Sequence, residues 1–222
     1  MNTKALVAEF VGTFALIFVG VGAIAADYLT GGKSGLVGIA LAHGLTIAVM
    51  VSATGAISGG HLNPAVTIGA LVGKKISATN AIGYIVAQCL GAIVAAWVVT
   101  LAIPGEVLDA VKMGTPALGS GITAGQALVA EIVLTFFLMF VVYGTAIDAR
   151  SPKVGGLFIG LTVALDILMG GPISGAAMNP ARHLGPALLG GGFDNISVYW
   201  IGPIVGAVLA AIVYTRILEQ KT

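Results

Sequence analysis

The sequence predicts an all-α membrane protein with six transmembrane helices and two re-entrant half-helices, laid out as an inverted 3+3 repeat. Three observations lead there. The chain of 222 residues is 58% hydrophobic and 9% charged, with a mean hydropathy of +1.05, whereas a soluble domain carries about 25% charged residues. Six apolar stretches are long enough to cross a bilayer, and the two halves of the chain share short motifs in the same order. The composition excludes a soluble globule and a disordered chain. It also excludes a nucleic-acid binder, which would need a basic face, because ten basic residues against nine acidic leave a net charge of +1. The single cysteine, Cys89, excludes a disulfide framework and a cysteine-rich metal site. No metal, nucleotide or haem motif is present, so no cofactor is expected.

A spanning helix takes about 20 apolar residues. The windows that qualify are 5–27, 36–56, 79–102, 126–147, 155–171 and 197–218. Lys4, the apolar run and Ala23-Ile24-Ala25 imitate a signal peptide. The run Ala5 to Ala26 exceeds a signal core, however, and holds Glu9, so it reads as the first span. The fifth window contains Asp166, which leaves its end open. An even number of spans puts both termini on one side, together with Lys4, Lys74, Lys75, Arg150, Lys153, Arg216 and Lys221, against Lys33 and Lys112 on the other. Excess Lys and Arg mark the cytoplasmic face, so both termini are expected in the cytoplasm. The plasma membrane is the expected location. What remains outside six spans is too short for a second domain, so residues 1–222 read as one domain with internal repeats at about 1–103 and 124–222.

The repeat is visible residue by residue. Ala8-Glu9 and Thr13 match Ala130-Glu131 and Thr135, and Gly44-Leu45-Thr46 matches Gly160-Leu161-Thr162. Ile57-Ser58-Gly59 with Asn63-Pro64-Ala65 matches Ile173-Ser174-Gly175 with Asn179-Pro180-Ala181, and Tyr84 and Gly91 match Tyr199 and Gly206. Each half holds three spans, so the second enters from the opposite face. That inverted layout belongs to many channels and transporters.

Two apolar segments are too short to span. Pro64 to Gly73 would make about 15 Å of helix, half of a hydrocarbon layer of about 30 Å, and its counterpart runs from Pro180 to about Leu189. Each has Asn as N-cap and Pro at the first helical position, the favoured chemistry of a helix start. Inverted symmetry brings the two N-termini together near the midplane, and paired segments of this kind point to a permeation site. There the positive ends of two helix dipoles meet, and the amides of Asn63 and Asn179 can donate hydrogen bonds. A neutral molecule with lone pairs is stabilised in that place, while a cation or a relayed proton meets a barrier.

These motifs resemble the major intrinsic protein family, the aquaporins and glycerol facilitators. The similarity runs over nearly the whole chain, and its specific parts are Ser58 to Thr67, Met178 to Arg182, and the Glu9 and Glu131 pair. The resemblance implies the aquaporin fold and a homotetramer in the lipid bilayer with one pore per subunit. It implies a channel for water and small neutral solutes, with no enzymatic activity and no catalytic residues. It also implies a selectivity filter at Arg182, His43, Ile167 and Ala176. A buried guanidinium offers fixed donors and keeps its charge, so it would order water and repel cations. The position of His43 is phenylalanine in strict water channels. The combination of His, Ile, Ala and Arg resembles some plant vacuolar aquaporins, a group that passes ammonia, urea, glycerol or hydrogen peroxide besides water. Glycerol facilitators carry Asp directly after the filter arginine and a basic residue four positions later. His183 and Ala187 stand there instead, and Tyr199-Trp200 is also of the water-channel kind.

His61 resembles a family histidine near the cytoplasmic mouth. Its ordinary pKa of about 6.5 admits pH sensitivity, but a wall position without gating is the simpler reading. Glu9 and Glu131 lie inside spans, where a carboxylate is expensive. They read as acceptors that hold the loops before the half-helices, with proton relay as the sharper alternative. Asp166 adjoins Ile167 but points about 100° away around a helix. It is expected to pair with Arg182 or His43, bridge subunits, or reach the water interface. Cys89 reads as packing, as do Ala87, Gly91, Ala95, Gly202 and Gly206 at helical spacing. Three other functions compete with a water channel: a glycerol or polyol facilitator, a proton-coupled transporter using Glu9, Glu131 or Asp166, and an intramembrane hydrolase using Ser58 and His61. The hydrolase lacks a nucleophile elbow.

Overall fold

The computed structural model describes residues 2–151 and 154–219. Lys153 and Lys221, two of the residues in the charge-asymmetry count, lie outside the described residues. The long helices are α1 (Thr3–Leu29), α2 (Gly35–Ser58), α4 (Ala78–Ala102), α6 (Ala124–Val142), α7 (Gly155–Ser174) and α9 (Ile196–Val213). The short ones are α3 (Pro64–Val72), α5 (Gly105–Ala110) and α8 (Pro180–Pro186). Two of the long helices continue into π-helical turns, Tyr143–Ile147 after α6 and Tyr214–Leu218 after α9. With those turns counted, six helices among the described residues are long and apolar enough to cross a membrane.

Local chemistry sets the helix ends. Asn2 accepts from the Lys4 amide at the start of α1, and Ser77 from Asn80 at the start of α4. Thr123 and Gln126 form a reciprocal capping box on α6, which satisfies two otherwise orphaned N–H groups. Helix α2 stops at Gly59 (φ 92°) and α7 at Gly175 (φ 79°), a left-handed conformation that glycine enters without a Cβ clash. Helix α7 runs three residues past the expected window, through Pro172 to Ser174. Asp166 does not interrupt it, because a single polar side chain changes hydropathy without removing a backbone bond. The second half-helix is shorter than expected. Regular helix ends at Pro186, and the chain continues through a π-helical turn, Ala187–Gly191, in which Gly190 has φ 136°.

Packing relates the halves. Helix α1 packs on α2 and α4, and α6 packs correspondingly on α7 and α9. The two halves meet along α2 and α7, where Gly44 and Gly160 face each other so closely that a Cβ on either would collide with the other's carbonyl oxygen. Each half-helix crosses over: α3 packs on α9 and α8 on α4. Gly69 faces the Ala207 carbonyl and Gly185 the Ala92 carbonyl, while Gly91 meets Phe10 and Gly206 meets Ile132. Lipid tails are as apolar as leucine, so helices here associate through such close backbone approach and through hydrogen bonds. Large apolar side chains such as Val49, Leu101, Leu165 and Ile82 point outward and are exposed.

One end of the bundle, the charged end, holds the two ion pairs found among the described residues. Lys75 bridges to Glu219 at 2.5 Å, and Arg150 grips Asp148 through Nε at 2.9 Å and a terminal nitrogen at 2.5 Å. That grip holds the Asp148 carboxyl below the usual carboxylate range. Tyr214 donates to the same carboxylate at 3.0 Å and stacks on Tyr143, whose hydroxyl donates to the Gly69 carbonyl at 3.0 Å. The last turn of α3 is thereby tied to the ends of α6 and α9.

Candidate functional site

Between the two half-helices lies a cavity with two unlike walls. Leu16, Ile47, Val51, Leu138, Val142, Ile159 and Val163 make one wall apolar. The other is polar, built from His61, Asn63, Asn179, Arg182 and the chain at Gly60 and Ala176–Met178. His43 and Ile167 also line this cavity, so the four expected filter residues share it with both asparagines.

The loops that lead into α3 and α8 are bent into unusual shapes. Leu62 (φ 52°), Ala176 (φ 46°) and Met178 (φ 51°) are left-handed without being glycine, a conformation that costs free energy and persists only where the surroundings enforce it. The enforcement comes from two buried carboxylates. Glu9 accepts from Ser58 Oγ (2.6 Å), the His61 amide (2.9 Å), the Leu62 amide (2.6 Å) and Gln88 Nε2 (2.7 Å). Glu131 accepts from Ser174 Oγ (2.7 Å), the Ala177 amide (2.8 Å) and the Met178 amide (2.7 Å). Neither glutamate is exposed, and each lies in the helix behind its loop. Ser58 has its hydroxyl on Glu9 and accepts from the Gly60 amide at 3.1 Å. It makes no bond to His61, so the pair is not arranged as a nucleophile and base.

The left-handed turns aim two carbonyls across the interface between the halves. Asn63 Nδ2 donates to the Met178 carbonyl at 2.8 Å, and Asn179 Nδ2 donates to the Leu62 carbonyl at 3.0 Å. At the same time Asn63 Oδ1 accepts from the Ala65 amide (2.8 Å), and Asn179 Oδ1 from the Ala181 (3.0 Å) and Arg182 (3.2 Å) amides. Each asparagine therefore caps its own helix and braces the opposite loop. An amide nitrogen carries two hydrogens, so one N–H of each asparagine remains for whatever occupies the cavity. Pro64, Ala65, Pro180 and Ala181 are buried in the first turns behind them.

At the far end from Lys75, Arg182 is 5% exposed. Its guanidinium makes no hydrogen bond or ion pair among the described residues, and one of its terminal nitrogens is buried without a partner. The two ion pairs among the described residues, Lys75–Glu219 and Arg150–Asp148, lie at the opposite end. His43 Nδ1 lies 2.9 Å from the Ile39 carbonyl. A carbonyl only accepts, so Nδ1 carries the hydrogen. The other edge of the ring lies against Gly20, where a Cβ would collide with Nε2.

Asp166 pairs with neither Arg182 nor His43. It is 5% exposed in the single chain, which places it inside the protomer, away from water and from a neighbouring subunit, and its Oδ2 has no partner. His183, fully buried, stacks on Tyr199 with centroids 4.6 Å apart and planes at 16°. Cys89 is half-buried against the core.

Gln88 escaped the motif reading, and Thr67 stood at the end of the first motif without a role of its own. Gln88 Nε2 joins Glu9 to Thr67 Oγ1 (2.9 Å), and Thr67 lies 3.1 Å from His61 Nδ1. The available signal was an amide in an otherwise apolar span, since polar groups within the membrane are costly and tend to have partners. His61 also lines a second cavity at the charged end, with Tyr84, Lys75, Ile76 and Ile147.

Comparison with known proteins agrees with this architecture. The family described as Major intrinsic protein matches residues 1–214. Aquaporin TIP2-3 of Zea mays is 46% identical over 222 residues, covering 96% of this chain and 87% of the relative. Aquaporin TIP2-3 of Arabidopsis thaliana is 42% identical over 221 residues, covering 96% and 86%. Among solved structures, the aquaglyceroporin from Plasmodium falciparum superposes with a TM-score of 0.88 at 26% identity, covering 98% of this chain and 97% of that one.

Proposed function

Because the chain belongs to the major intrinsic protein family, we propose that it is a passive channel for water, with ammonia and other small neutral solutes as further cargo. The observation that carries this reading is the pair of asparagines that meet across the halves, each with one amide N–H left over beside an apolar wall. Water crossing there takes hydrogen bonds through its oxygen from both sides, and the apolar wall offers its hydrogens nothing. A proton relay needs each water to donate onward along the file, and fixed donors at the centre turn the water the wrong way for it. The aligned positive helix ends add an electrostatic barrier to cations. Arg182 adds a second barrier, with donors free of protein partners.

Residues 1–222 act as one channel domain, built from repeats at about 1–103 and 124–222. Four copies assemble as a homotetramer with a pore in each, a reading supported by the family. The charged end, with Lys75, Arg150 and Arg216, is the cytoplasmic face, and both termini lie there. A plasma-membrane location follows from nothing in the geometry, and the TIP names of the relatives weigh toward an internal membrane. A proton-coupled cycle through the glutamates has less support, since Glu9 and Glu131 are occupied by loop amides and hydroxyls.

Stopped-flow light scattering on reconstituted vesicles tests the proposal. Fast water efflux with low activation energy, little glycerol uptake and no proton conductance is expected. Folded protein that fails to accelerate water above empty vesicles would overturn it, and glycerol uptake as fast as water flow would make it a polyol facilitator.

A further inference from the structure

The hydrogen bonds around Gln88 and Thr67 fix which way each group points. Glu9 already accepts from Ser58 and two backbone amides, so the Gln88 atom that faces it at 2.7 Å is the nitrogen. The second hydrogen of that nitrogen reaches Thr67 Oγ1 at 2.9 Å. A hydroxyl has one hydrogen, and that of Thr67 lies toward the Asn63 carbonyl, 3.0 Å away, which can only accept. The remaining contact of Thr67 Oγ1, with His61 Nδ1 at 3.1 Å, has to draw its hydrogen from the ring. We propose that neutral His61 is held as its Nδ1–H tautomer, so that its Nε2 lone pair faces the solute path as a hydrogen-bond acceptor, with Gln88 and Thr67 as positioning residues.

This inference rests on the channel reading and makes it more specific. Asn63, Asn179 and Arg182 offer donors, which take a solute's lone pairs, whereas His61 takes a solute's hydrogen at the cytoplasmic end. Water, ammonia and polyols carry such a hydrogen; neutral solutes that only accept do not. The rest of the surroundings fit. With Nδ1 turned to Thr67, the opposite ring edge lies beside Gly59, where a Cβ would come within 3.3 Å of Nε2. His61 lines both the central cavity and the one at the charged end. Tyr84 meets the ring edge-on at 5.3 Å, with its hydroxyl donated to the Ser58 carbonyl at 2.8 Å. At the matching offsets in the second half stand Pro203 and His183, so this relay belongs to the first half alone.

Nitrogen-15 NMR on histidine-labelled protein in lipid bilayers reads the tautomer directly. His43, His61 and His183 are the chain's histidines. His61 is assigned by loss of its signal in His61→Asn or, should that variant fail to fold, by elimination with His43→Asn and His183→Asn. The expected result is a protonated, pyrrole-type Nδ1 and an unprotonated, pyridine-type Nε2. The reverse pattern would overturn the proposal, since Thr67 would then be donating to the ring. Thr67→Val should produce a mixture of tautomers and a several-fold fall in ammonia permeability, and Thr67→Ser should restore both. A Thr67→Val spectrum identical to the wild type would remove Thr67 from the positioning role. The spectrum does not depend on transport, so a folded, Nδ1-protonated protein that moves no water would overturn the channel reading alone.

Discussion

In the loop before α3, Glu9 takes four hydrogen bonds, one of them from the side chain of Gln88. In the loop before α8, Glu131 takes three, from the matching serine and backbone amides. The backbone of the two loops is nearly the same, with left-handed Leu62 and Met178 at matching positions and mirrored bonds from the asparagines. The side chains differ. The first loop carries His61 where the second has Ala177, and the second helix carries Arg182 where the first has Val66. Repetition therefore supplies the frame that brings two helix starts together, and departure from it makes the two ends of the path chemically different.

The strongest way to break this comparison is to remove the carboxylates. A glutamine at either position keeps one acceptor oxygen and turns an NH2 group against amide donors. Hydrogen bonds to charged groups contribute about 1.5–3 kcal/mol each, so both Glu9→Gln and Glu131→Gln should lose several such increments of stability and most water flow. Glu9→Gln should lose more, because it serves one donor more. Thermal unfolding in detergent, compared between the two variants, checks the order. A larger loss for Glu131→Gln would show that something other than these bonds shapes the loops.

Gly44 and Gly160 provide the symmetric control. Each faces the other's backbone, so a leucine at either meets the same obstruction. Overpacking of this kind costs roughly 1–3 kcal/mol, and the two substitutions should cost nearly the same, measured by the same unfolding assay. Unequal losses would mean that the halves do not share the crossing evenly. Gln88→Met is the asymmetric test. It deletes one donor to Glu9 and should cost about 1.5–3 kcal/mol by the same bond increments. Pro203 at the matching position donates nothing, so the second half has no equivalent loss to suffer.

Much of this frame could be read from residue order, because the constraints are local and repeated. Asn63-Pro64 and Asn179-Pro180 announce a helix start wherever they fall, since the cap and the fixed φ of proline act within a few residues. The bilayer sets how long an apolar run must be, so all six windows lie within three residues of their helices once the π-helical turns are counted. The largest departure, in α7, passes Pro172 because its end is set by Gly175 and by packing against the chain at Pro116 and Gly119. Gln88 was hidden for a related reason. Its role depends on α4 lying against α1, a contact between residues far apart in sequence. The same holds for the cross-brace: capping predicted one use of Asn63, but its bond to the Met178 carbonyl needs the left-handed turn of a distant loop.

Asp166 sharpens the comparison at its smallest scale. Glu131 and Asp166 are both buried carboxylates in the second half, but Glu131 is fully engaged with loop donors, and Asp166 has a buried oxygen with none. Removing a charge breaks bonds only where bonds exist. Asp166→Asn should therefore leave the fold as stable as before or raise the unfolding temperature slightly, since a lone buried carboxylate costs free energy that a neutral amide costs less of. Because Asp166 lies off the cavity that holds Ile167 and Arg182, the ratios of water, glycerol and ammonia permeability should not change. A shift in those ratios would make Asp166 part of the filter, and a loss of stability comparable to that of Glu131→Gln would mean that Asp166 holds a partner, such as a bound water, on which the fold depends.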